Sequence, residues 1–258
     1  MSILVSLSLK FLPLMFSLLR KEIQGFLGSL IGYIVIIVFL TIIGLIMWVF
    51  PGDMNILNNE YASLGPLFTI APWVFMFLIP AVTMRLFADE NKSGTIELLL
   101  TKPLTDLQII SAKYLAGFLL VLFSLLPTLF YFLTIYQLGA PVGNLDIGGM
   151  WGSYLGLLFL ASGFVAIGLF ASSLTDNQVI AFITAVSISF FVYIGFDFIS
   201  SLALFGSVDL LIIKLGINEH YSSMSRGVID SRDAIYFLSL IAFFFMLTKL
   251  KISARNWS

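Results

Sequence analysis

Cysteine is absent from the 258 residues, histidine occurs once, and charged residues make up only 10% of the chain. Without cysteine there can be no disulfide framework, Fe–S cluster or thiol nucleophile. A single histidine leaves little for a zinc site, which draws on several His or Cys ligands. An ordinary soluble domain carries about 25% charged residues, so a water-exposed surface cannot be assembled from this composition. The net charge of −1 offers no strong attraction to a polyanion, which argues against nucleic acid as a partner. What the chain does have is apolar: 60% of residues are hydrophobic and the mean hydropathy is +1.07. A soluble enzyme, a basic nucleic-acid binder and a disordered chain are excluded. The composition specifies an all-α, polytopic membrane protein with the lipid bilayer as its surroundings.

A membrane helix needs roughly 20 apolar residues, each adding ~1.5 Å across a core of ~30 Å. Six segments qualify: 30–50, 66–84, 114–136, 151–174, 179–204 and a last one whose apolar part is short unless its helix starts near Ser231, giving 231–250. Connections then alternate sides, and the side richer in Lys and Arg is cytoplasmic. With the N-terminus inside, the inner segments hold Lys10, Arg20, Lys21, Arg85, Lys92, Lys102, Lys113, Lys249, Lys251 and Arg255. The outer ones hold only Lys214, Arg226 and Arg232. Ten against three places both termini, including the tail 251–258, in the cytoplasm.

Residues 1–29 are read as an amphipathic elbow helix on the inner surface, leading through Arg20-Lys21-Glu22 into the first crossing. A signal peptide is disfavoured because no basic start and no small-residue cleavage site are present. A seventh crossing is interrupted by Lys10 and Pro13 and would reverse the charge bias. Met15 as the true start stays open.

The polar residues gather in the inner loop 86–113 between crossings two and three. Residues 87–106 hold four of the fourteen acidic residues. Gly94 allows a turn, Thr95 is placed to cap a helix, and Glu97 falls in its first turn, where the dipole favours an anion. Leu98, Leu99 and Leu100 follow before Pro103 ends the helix. Thr105 begins another, with Gln108 in capping-box spacing. A connecting loop is the plain interpretation. Against it, a loop that only turns the chain needs few residues, and three adjacent leucines lack a partner, so a docking surface for another protein is the sharper one.

These residues carry a likeness. Glu90, then Gly94-Thr95-Ile96-Glu97-Leu98-Leu99-Leu100-Thr101-Lys102-Pro103-Leu104-Thr105, closing with Lys113, resembles the coupling signature of type-2 ABC transporter permeases. Lys21-Glu22 followed by Ser29-Leu30-Ile31-Gly32-Tyr33 is similar to the family's approach to its first crossing, with Leu30 and Gly32 departing from its Pro and Ala. The run from Gly168 to Gln178 is similar to its turn between crossings four and five, and the run from Arg226 to Tyr236 to its approach to the last crossing. Within the family, permeases associated with bacterial gliding motility, the GldF type, are the nearest likeness. The resemblance implies a permease in the bacterial inner membrane without chemistry of its own. Its segment 94–102 would dock on a separate ABC ATPase subunit, which would hold the ATP and Mg²⁺, and a second permease copy or related chain would complete the pathway. Glu90 and Glu97 would supply polar contacts to the ATPase and Leu98 and Leu99 apolar anchoring, within a docking set that includes Gly94, Thr95, Lys102 and Pro103. No G-x-x-x-x-G-K-[ST] run occurs in the sequence, consistent with an ATPase acting in trans.

Other candidates are weaker. Pro72 and Pro80, eight residues apart in crossing two, are either ordinary membrane-helix prolines or a hinge carrying loop motion into the bilayer. Asp197 lies about 27 Å along crossing five at ~1.5 Å per residue, so interfacial solvation is favoured over an intramembrane function. His220, in an outer loop beside Glu219, is expected to be solvated rather than a pH sensor. The stretch 208–215 reads as an outer interfacial helix that shapes an exit or meets a periplasm-facing accessory protein. Gly152, Gly156, Gly163 and Gly168 serve either intrachain packing or dimerisation. Paired intramembrane carboxylates or a Ser/His arrangement, which an intramembrane enzyme would need, are not evident. A membrane scaffold that moves no cargo is the alternative to transport.

Overall fold

A computed structural model describes residues 2–58, 61–202 and 206–254, with side chains described from Leu14 onward except Leu100 and Ser207. The side chains of Lys10 and Pro13, the expected end of crossing five at 204, and the tail from Arg255 lie outside the described residues. The described residues form helices and no strands: α1 (Ser2–Leu27), α2 (Leu30–Trp48), α3 (Gly65–Thr83), α4 (Arg85–Ser93), α5 (Thr95–Leu100), α6 (Asp106–Leu125), α7 (Leu129–Leu138), α8 (Ile147–Leu174), α9 (Gln178–Phe190), α10 (Phe196–Ser201), α11 (Asp209–Ile213), α12 (Ile217–Met224) and α13 (Ser231–Ala254).

Six stretches are long and apolar enough to cross a membrane: Leu30–Trp48, Gly65–Ser93, Asp106–Leu138, Ile147–Leu174, Gln178–Ser201 and Ser231–Ala254. They are the six read from the sequence, with longer helices at several ends. The last runs to Ala254, past the expected limit at 250. α1 is one continuous helix from Ser2 to Leu27 and is not among the six.

Local chemistry sets the helix starts, where backbone N–H groups lack intrahelical partners. Ser29 accepts from Gly32 N, Asp146 from Gly149 N, and Asn177 from Val179 N. At α6 the capping box is complete: Thr105 Oγ1 accepts from Gln108 N at 3.3 Å, and Gln108 Oε1 accepts from Thr105 N at 2.9 Å. Crossing five is not uniform. A π-helical turn at Phe191–Gly195 separates α9 from α10.

α8 is the hub, packing on α3, α4, α6, α9, α12 and α13. Glycine makes that proximity possible. A Cβ at Gly168 would lie 2.0 Å from Thr83 Oγ1 on α3, and one at Gly156 would lie 2.5 Å from Met224 Cβ on α12. Of the two uses considered for these glycines, close packing within the chain is the one observed. Two apolar clusters result. The larger runs through the bundle and includes Phe39, Phe75, Leu157, Phe164 and Phe237. The smaller sits at the end that bears α4 and α5 and joins Leu18, Leu86, Phe87, Ile96, Leu99, Ile109 and Ile252.

Candidate functional site

At the α4–α5 end, four charged side chains from three helices meet. Lys113, at the start of crossing three, is fully buried, and its Nζ lies 2.9 Å from Glu22 Oε1 and 2.9 Å from Glu90 Oε2. It also donates to the carbonyl of Leu86 at 2.6 Å and sits 5.1 Å from the ring centroid of Phe87. Lys21 donates to the other oxygen of Glu90 at 3.1 Å and lies 3.7 Å from Glu22. Removing one ion from water costs several kcal/mol in a protein interior, and only good geometry with further hydrogen bonds offsets it. Here two ammonium groups and two carboxylates balance, and Lys113 uses a backbone carbonyl as well. The set ties α1, α4 and α6 together as a clamp.

α4 is held from its other side. Its first N–H groups need acceptors, and Ser172 on α8 supplies one: its Oγ accepts from Phe87 N at 3.0 Å and Ala88 N at 3.1 Å. The same hydroxyl donates to Met84 O at 2.7 Å, bridging the break between α3 and α4. Asp89 accepts a hydrogen bond from Gln178 Nε2, and Asn91 Nδ2 donates to Thr175 O at 3.2 Å. Arg85 stacks over Phe26, 4.5 Å from the ring centroid, and donates to Ser29 Oγ at 3.2 Å. α4 therefore continues crossing two past the break at Met84 and is fixed to α1, α6, α8 and the turn before α9.

Gly94, at φ +70°, turns the chain from α4 into α5. It is itself the residue preceding α5, and Thr95 is the first helical residue. This corrects the expectation that Thr95 caps the helix. Its hydroxyl lies 2.8 Å from Ser93 Oγ instead. Glu97 falls in the first turn as expected. Ile96 and Leu99 point inward, 3% and 7% exposed, onto the smaller cluster. Leu98 points out and is 66% exposed. Lys92, Thr95, Glu97, Lys102 and Pro103 are exposed around it.

The residues expected to act together on a partner thus divide. Gly94, Thr95, Glu97, Leu98, Lys102 and Pro103 share the exposed rim, whereas Leu99 and Glu90 lie inside, with Glu90 only 8% exposed and ion-paired within the chain. The partnership of Glu90 with Glu22 and Lys113 escaped the sequence reading because nothing local links positions so far apart. The helical character of 85–93 was also missed. A polar run with Asp89, Glu90 and Asn91 reads as loop until Ser172 is known to cover its start.

Pro72 and Pro80 both lie inside α3 without ending it. At the opposite end of the bundle, Asp197 accepts from Asn218 Nδ2 at 2.8 Å. His220 is more enclosed than expected. Nδ1 lies 2.7 Å from Asp233 Oδ1, Nε2 lies 3.0 Å from Lys214 O, and the ring stacks on Tyr236 at 3.9 Å. Within 208–215 the helical part is α11, whose Leu210 and Leu211 are 69% and 62% exposed.

A search of curated protein sequences returns no significant match. A family model described as "ABC-2 family transporter protein" matches residues 16–206. The matched span takes in the clamp, the α4–α5 segment and five of the six membrane-length stretches. The chain is thus a membrane-spanning permease component and belongs to the ABC-2 transporter family.

Proposed function

We propose that this chain is the permease half of an ABC exporter whose motor is a separate ATPase subunit gripping α5 from the cytoplasm. One observation carries the reading: a short helix with an outward Leu98 and Glu97 stands on a base held by a buried cluster of ion pairs. A single exposed leucine is ordinary; what marks Leu98 is its place beside Glu97 in the segment that the resemblance assigns to docking. The clamp beneath it makes force on α5 pass into α3 and α6 together, because α4 is bonded to α1, α6 and α8. ATP and Mg²⁺ would be held by the partner. When two ATPase subunits close on nucleotide, the docked segments of two permease copies would shift, tilt crossings two and three, and change which side of the pathway is open. Glu97 and Leu98 are the contacts in this scheme, with Thr95, Lys102 and Pro103 around them. Glu90 supports them from within.

The finer reading places the chain in a bacterial inner membrane with both termini inside, following the ten-to-three bias of basic residues. It takes α1 as the interfacial elbow and the opposite end of the bundle as the periplasmic face, where α11 is available to an accessory protein. Service to gliding motility follows from the sequence resemblance. Co-purification from membranes tests the docking. Glu97→Lys, or Gly94→Pro, which a φ of +70° forbids to proline, should release the ATPase while the permease stays folded. Tight association in both variants would end the proposal.

A further inference from the structure

Pro72 lies within α3 and has no N–H, so the carbonyl of Phe68, four residues earlier, loses its helical donor. Phe68 is only 3% exposed, and a buried acceptor is costly unless another donor replaces the lost one. The Tyr221 hydroxyl does so. It donates to Phe68 O at 2.7 Å, across 153 residues of sequence. Tyr221 is 3% exposed. Burial pushes its hydroxyl well above the ordinary value, so the proton it donates is kept.

α12, which carries Tyr221, is itself fixed. Ser153 Oγ on α8 donates to Ser225 O at 2.9 Å. Gly156 admits Met224 so closely that a Cβ there would fall 2.5 Å from Met224 Cβ. His220, next in the chain, bridges Lys214 O and Asp233. Tyr221 is therefore the polar reach of a braced arm into the weak point of a helix.

We propose that Tyr221 is a positioning residue for the movement of α3: its hydroxyl stands in for the backbone N–H that Pro72 lacks and ties α3 at that point to α12. The two elements then move as one body at the end of the pathway away from the motor. The tie stands on geometry alone, while its part in gating rests on the transporter reading. Two experiments separate them.

The first is amide hydrogen exchange on the full chain in lipid nanodiscs. Tyr221→Phe keeps the ring and removes the donor. It should speed exchange at Ala71 and Trp73 about tenfold, the scale of one buried acceptor left unpaired. Pro72→Ala restores an N–H to position 72, so Tyr221→Phe added to it should produce no further acceleration. Such coupling marks two residues serving one bond. Equal acceleration in both backgrounds would show that Tyr221 acts through packing, and no acceleration in either would show that the bond carries nothing. Either result overturns the tie.

The second uses the absence of cysteine to place spin labels at Thr69→Cys and Ser222→Cys, both exposed, in the permease–ATPase complex. The distance should hold through the nucleotide cycle when Tyr221 is present and vary in Tyr221→Phe. A distance that already varies with Tyr221 intact overturns the shared movement. If the ATPase does not associate at all, the transporter reading fails, and the exchange result still decides the tie.

Discussion

Lys113, which opens the third crossing, and Glu22, on the helix before the first, are 91 residues apart in sequence and 2.9 Å apart in space. Glu90, on the extension of the second crossing, reaches the same ammonium at 2.9 Å. Three segments that the bilayer would otherwise leave free to tilt separately are joined at one buried nitrogen. This gives α1 a structural role: through Lys21 and Glu22 it braces α4, the base on which α5 stands.

Breaking the clamp from its centre should be severe. Lys113→Met leaves the Glu22 and Glu90 carboxylates with only the exposed Lys21 as a cation, and removing one partner of a buried pair costs about 3–5 kcal/mol. Thermal unfolding in detergent should show a large fall in Tm. Adding Glu22→Gln and Glu90→Gln to Lys113→Met removes the uncompensated charge and should restore much of the loss. If the triple variant is no better than the single one, the clamp is held by packing and not by charge.

The rim of the clamp gives a pH signature. Burial lowers the Lys21 ammonium, but the carboxylates of Glu22 and Glu90 more than reverse this and leave it above 10.5. A group whose folded value is raised contributes stability that is complete below its unfolded value and is lost as pH rises through the folded one. The stability gap between the parent and Lys21→Met should therefore be constant at neutral pH and narrow as pH rises past 10.5. Melting curves across that range check it. A gap that closes on the acid side alone would contradict the pairing.

Glycine spacing along α8 predicts a graded series. Gly168→Ala would drive a methyl to 2.0 Å from Thr83 Oγ1, a hydroxyl that is itself buried and bonded to Ile79 O. Gly163→Ala meets the end of the Leu240 side chain at 3.1 Å and the Phe237 ring only at an ordinary contact distance of 3.6 Å. Overpacking of the first kind costs about 1–3 kcal/mol, and the second should cost a fraction of that because Leu240 can rotate aside. Equal Tm losses for the two would show that α8 does not approach α3 as closely as described.

Much of the scaffold could be read from residue order because membrane crossing is a problem of length. Uncharged runs near 20 residues, bounded by Pro51-Gly52, Arg85, Lys113 and Thr248-Lys249, mark where helices must lie. The α6 start was equally plain, since Thr105 and Gln108 carry their geometry in their spacing. Long-range pairing was not. Glu90 reads as a contact to the ATPase through the resemblance alone, and only the fold brings Lys21 and Lys113 to it. His220 looked solvated beside Glu219, and Asp233 and Lys214 enclose it only once α12 packs. The outward turn of Leu98 against the inward turn of Leu99 follows from the phase of a six-residue helix, which three adjacent leucines cannot fix by themselves.

That phase difference gives the sharpest test of the docking surface. Leu98→Asp changes a side chain that is 66% exposed and touches no described core, and such substitutions usually shift stability by less than about 0.5 kcal/mol. Its Tm should match the parent. If Leu98 anchors the ATPase, losing one such contact removes about 1–2 kcal/mol or more of binding, roughly tenfold or greater in affinity, and the complex should fall apart during gentle extraction. Leu99→Ala should do the reverse. Truncating a buried leucine costs about 2–5 kcal/mol of stability, so the permease melts early, while any folded fraction retains its outward Leu98 and still binds. Measured side by side, the two variants distinguish a surface that grips a partner from a hairpin that merely folds, because only the first predicts that stability and binding separate.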